Sequence, residues 1–144
     1  MLRAVVLALS VASPALADFE TRRAPGTVAE TMDALEAAVE AAGATVFARV
    51  DHAAGARAEG MELPEAQLLI FGNPALGTPV MQDDIRAGLM LPLRVLVHDM
   101  GGRTQIVWEA PQEMFDDLPL DEDAPNVVAI EKALDRLTGA AAQR

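Results

Sequence analysis

Apolar residues recur at helical spacing over Val28, Met32, Leu35, Val39 and Ala42, which predicts a helix that Thr27 opens and Gly43 stops. Thr27 with Glu30 three residues on has the spacing of a capping box. Glu30, Asp33, Glu36 and Glu40 fill the outward face. A second helical stripe, Val127, Ile130, Leu134 and Leu137, predicts a C-terminal helix ending at Gly139. Strand-like runs lie elsewhere. "DFETRRA" alternates roughly and precedes a Pro25-Gly26 break, and "TVFARV" (Thr45 to Val50) is rich in β-branched residues. "AQLLIF" (Ala66 to Phe71) is a continuous apolar run of strand length and reads as a strand central in a sheet. "LPLRVLV" and "RTQIVWE" flank Gly101-Gly102 and predict a hairpin. Residues 51 to 60 read as a loop or edge, and "APQEMFDDLPLDEDAP" reads as an acidic surface loop.

The predicted order is strand, helix, two strands, a short helix, a hairpin and a long helix. Strands that follow one another without a helix after each exclude a doubly wound parallel sheet. They predict an α+β fold: a two-layer sandwich of a mainly antiparallel sheet, with the N-terminal and C-terminal helices packed on one face.

The first residues follow another pattern. Arg3, an apolar run from Ala4 to Val11 and the small-residue end Ala15-Leu16-Ala17 predict a secretory signal over residues 1–17, too short in its apolar part to span a bilayer. Residues 18–144 would then form one exported domain, soluble and with no membrane span after cleavage, and periplasmic if the source is Gram-negative. Composition agrees with a single core, built from Val, Leu, Ile and Met because aromatics make up only 3% of the chain. The net charge of -11 disfavours nucleic acid and anionic membrane surfaces as partners. The chain has no cysteine, which excludes disulfides and thiolate chemistry, and its two serines, Ser10 and Ser13, both lie in the predicted signal.

The stretch "LLIFGNPALGTPVM" raises the possibility of a phosphate loop, since Gly72 and Gly77 are five apart and Thr78 follows. The lysine that such a loop needs is missing, and Pro74 and Pro79 remove two amide donors. A capped helix start fits better, with Asn73 as cap and Pro74 in the first turn. Together "VFARVDHAAGARAEGMELP", "LLIFGNPALGTPVM" and "AGLMLPLRVLVHD" fall in an order and spacing that resembles domain-of-unknown-function family 302. Gly72, Asn73, Pro74, Leu91 and Pro92 carry the firmest part of that resemblance, which runs from Thr27 to Glu109 and, more loosely, over the last helix. The resemblance implies a small α+β domain, often a homodimer, with no established catalytic residues. Met90 stands where the family often has an acidic residue, and Trp108 where it often has tyrosine.

Both histidines neighbour an aspartate, in Asp51-His52 and His98-Asp99, each pair at the end of a predicted strand. Imidazole and carboxylate are zinc and copper ligands, so the four are candidates for one metal site if the strand ends face the same edge. The competing reading is that strand ends are simply polar, with neighbouring residues on opposite faces. The acidic run Asp116 to Asp123 lacks the glycine and ligand spacing of a calcium loop. The sequence as a whole reads as a non-enzymatic domain, without a cofactor, that binds a small ligand or partner protein as a homodimer. The alternative is a metal-handling protein using His52 and His98, and an enzyme comes third.

Overall fold

The computed structural model describes residues 19–143, so the predicted signal lies outside the described residues. Five strands form one sheet: β1 (Phe19–Ala24), β2 (Thr45–Asp51), β3 (Ala66–Gly72), β4 (Leu93–Asp99) and β5 (Thr104–Glu109). Their order is β1-β5-β4-β3-β2, and every neighbouring pair is antiparallel. β4 is therefore central, and β3 lies one strand from the edge. The helices are α1 (Val28–Ala41), α2 (His52–Ala58), α3 (Pro74–Asp83), α4 (Pro111–Met114) and α5 (Pro125–Ala141), with a 3-10 turn at Ile85–Leu89.

The two long helices form as their patterns demand. Thr27 and Glu30 complete the capping box, Thr27 Oγ1 accepting from the Glu30 amide at 3.2 Å and Glu30 Oε2 from the Thr27 amide at 2.9 Å. Val28, Met32, Leu35 and Val39 are buried along one side of α1, and Val127, Ile130, Leu134 and Leu137 along one side of α5. They cover the alternate strand positions Leu69 and Phe71, Val95 and Val97, and Ile106 and Trp108. The result is the predicted two-layer α+β sandwich with both helices on one face. Truncating a fully buried leucine such as Leu35 to alanine would cost about 2–5 kcal/mol. The hairpin turns at Gly101 and Gly102, whose φ values of 66° and 83° favour glycine, and the Met100 amide donates to the Arg103 carbonyl at 2.8 Å.

Three local expectations are corrected. Residues 52 to 58 form α2 rather than a loop, because Asp51 Oδ1 accepts from the Ala54 amide at 2.8 Å and caps a run rich in alanine. The segment after Glu109 is not all surface loop: α4 starts at Pro111, and Met114, Phe115 and Leu118 are buried in the core. Helix α5 runs past Gly139 to Ala141. Gly139 is no cap; a Cβ there would lie 2.6 Å from Arg22 Nη1, so the residue makes room for that guanidinium.

Candidate functional site

A cleft of about 280 Å³ opens where α3 and the C-terminal half of α5 meet the end of β3. Its floor is Phe71, Leu93, Ile130 and Leu137, all part of the core. Its near wall is the start of α3. Gly72 ends β3, and Asn73 Oδ1 accepts from the Ala75 amide at 2.9 Å. Pro74 follows in the first turn, where its missing N–H has no intrahelical use. The Leu91–Pro92 pair, joined by a cis peptide, also lines the cleft, close against Gly77 and Gly72. All five residues that carry the family resemblance, Gly72, Asn73, Pro74, Leu91 and Pro92, thus line it.

Close approach shapes the walls. A Cβ on Gly72 would come within 3.2 Å of Phe47 Cε2, and one on Gly77 within 3.2 Å of Leu91 Cδ1. Side chains at either position would intrude on the space. Phe47 reaches the mouth because the β2–β3 register shifts between Val46 and Ala48, and it remains 60% exposed. The lining is almost wholly apolar, with Asn73 and Thr78 as uncharged polar members. Arg136, exposed on α5, is its one charged residue among the described residues.

The lining was only partly visible in the sequence. Phe47 and Arg136 come from distant segments, and nothing in their spacing links them. One signal for Arg136 existed: it falls beside Ala133 and Leu137, on the edge of the apolar stripe of α5.

The two His-Asp pairs lie elsewhere. Asp51 and Val97 face Gln67 from opposite sides in the strand register, so the two pairs sit on strands two spacings apart, about 10 Å. His52 opens α2 and is exposed, whereas His98 lies within β4, its Nδ1 3.2 Å from the Asp99 carbonyl. Both carboxylates serve the backbone: Asp51 caps α2, and Asp99 Oδ1 accepts from the Gly102 amide at 2.8 Å. Among the described residues, no three His, Asp or Glu side chains stand together in a way suited to a metal ion.

A family model described as "Domain of unknown function DUF302" matches residues 20–143. The chain belongs to this family. The crystal structure of an uncharacterized conserved DUF302 protein from Bacillus stearothermophilus superposes with a TM-score of 0.80, covering 86% of this chain and 98% of that one. At 19% identity this likeness concerns the DUF302 fold alone. Among curated proteins, the chain is 44% identical over 92 residues to the fluoride-specific ion channel FluC 1 of Brucella suis and to FluC 1 of Brucella abortus. The match covers 64% of this chain but only 35% and 33% of those proteins, so the DUF302 chain spans about a third of the curated relatives' length. No helix among the described residues is long and apolar enough to cross a membrane.

Proposed function

We propose that this protein is an exported, non-enzymatic binding domain, working as a homodimer, whose apolar cleft takes a small ligand. The observation that carries this reading is the cleft itself: the five residues that mark the family resemblance converge on one open apolar hollow above the core. Concave, mostly apolar sites with a few placed polar groups are the usual form of small-molecule sites. Among the described residues, no hydroxyl nucleophile paired with a base lines the cleft, and both histidines lie away from it. The resemblance to the Brucella channels supports a role as an accessory binding domain beside a membrane protein, with conduction belonging to the remaining part of those proteins.

The test is a fluorescence titration with 8-anilinonaphthalene-1-sulfonate. The cleft reading expects saturable enhancement in the wild type that disappears in Gly77→Leu, where a side chain would fill the space against Leu91. Equal enhancement in both proteins would overturn it. Intact-mass measurement on protein from the cell envelope tests export, with Asp18 expected as the first residue, and light scattering tests the dimer.

A further inference from the structure

Arg136 is singled out by what surrounds it. Some of the described cations pair with a carboxylate and others do not; what distinguishes Arg136 is that it lines the cleft. Arg22 pairs with Asp135, Arg49 with Asp33 and Glu36, and Arg86 with Asp84, all within 3.1 Å. Asp135 is the immediate neighbour of Arg136, but its carboxylate is drawn to Arg22 at 2.6 Å. Glu131, on the same helix, accepts from Gln112 Nε2 at 3.1 Å. Arg136 is left with no hydrogen bond or ion pair to any of the described residues, at the mouth of an otherwise uncharged cleft.

From this geometry we infer that the cleft selects small amphiphilic monoanions, with a carboxylate held by Arg136 and an apolar body on the core floor; the inference rests on the cleft being a ligand site. The guanidinium offers a planar fork of donors that matches a carboxylate in two parallel hydrogen bonds. The hollow sets the size of the body. At ~30 Å³ for each water-sized group, 280 Å³ holds roughly nine of them. That corresponds to a medium-length alkyl chain or a single substituted ring. The overall negative charge of the protein opposes anions at long range, but salt screens that field over about 8–10 Å, while a direct contact with Arg136 survives.

Sodium octanoate and 1-octanol separate the two levels of this claim, since they share a tail and differ in charge. Isothermal titration should show octanoate binding the wild type about fivefold more tightly than octanol, the size of an ion pair at a solvated rim. Arg136→Ala should remove that fivefold preference and leave octanol unchanged. The substitution lies on an exposed helical position, and unchanged thermal melting will verify the fold. Gly77→Leu should abolish binding of both. Thr78→Trp, at an exposed position of the lining, provides a second block should Gly77→Leu fail to fold. Equal binding of both probes, insensitive to Arg136→Ala, would overturn the anion claim and leave the cleft standing. Binding of neither probe would overturn the cleft as well, and dissociation of a dimer by Thr78→Trp in that case would give the cleft to a second copy of the chain.

Discussion

Arg22 of β1 and Asp135 of α5 meet at 2.6 Å across 113 positions of sequence, and the guanidinium does more than form that pair. It also donates to the Asp135 carbonyl at 2.9 Å and to Thr138 Oγ1 at 3.2 Å, and its carbon lies 5.7 Å from the centre of the Trp108 ring. One side chain thus ties an edge strand to the last helix. Asp135 is 72% exposed, so the ionic part is worth under about 1 kcal/mol, and the remaining contacts add a similar amount. Arg22→Ala should lower unfolding free energy by about 1–2 kcal/mol in urea.

The same clasp inverts an ordinary rule at Gly139. Glycine to alanine within a helix normally stabilises by about 1 kcal/mol. Here the added methyl meets Arg22, so Gly139→Ala should bring no gain in the wild type and the full gain in an Arg22→Ala background. A double-mutant cycle by urea denaturation reads the difference, and additivity of the two changes would refute the contact.

Asp84 should titrate abnormally. Hydrogen bonds from the Arg86 side chain and then from its backbone amide hold the carboxyl down to about 2, from an ordinary 3.8. A lowered carboxylate contributes stability that is present above the ordinary value and lost as pH falls toward the folded one. The loss should therefore come between about pH 4 and pH 2. Glu30 is shifted the same way, by the backbone and side-chain hydrogen bonds of Thr27. Carboxyl NMR of Arg86→Ala should show Asp84 returning upward; an unmoved midpoint would mean that Arg86 is not the cause.

Asn73 links stability to the cleft. Asn73→Ala removes the cap of α3 and should cost about 1 kcal/mol, a few degrees in melting temperature. Asn73→Asp keeps an acceptor oxygen and should recover most of the loss. Tight ATP binding by the wild type, abolished by Asn73→Ala, would instead revive the phosphate-loop reading.

Zinc provides the test for the histidines. With Asp51 and Asp99 engaged by backbone amides and the pairs about two strands apart, calorimetry should give the same zinc isotherm for the wild type and His52→Ala. A high-affinity wild-type isotherm that is lost in His52→Ala, and that weakens as pH drops through the imidazole range, would establish the metal site.

The long elements were legible because their burial repeats with a clear period. Met32, Leu35 and Val39 mark α1, and Val95 and Val97 alternate with Arg94 and Leu96 in β4. Helix α2 was hidden because its inward residues are alanines, Ala53 and Ala56, which do not stand out from the alanines around them. The buried Met114, Phe115 and Leu118 were masked by the acidic residues between and after them. The cleft was least legible of all. Its glycines and prolines were recognisable as a turn, but Phe47 and Arg136 join them only through the register shift in β2 and the rotation of α5.

The strand order has a consequence for how the molecule is assembled. Among the described residues β1 is the first strand, yet its strand partner is β5, the last of the five in the chain. During synthesis the N-terminal segment emerges before the strand it pairs with. Its clasp through Arg22 waits longer still, for α5. A chain cut short before Thr104 would therefore leave its own beginning without a strand to pair with.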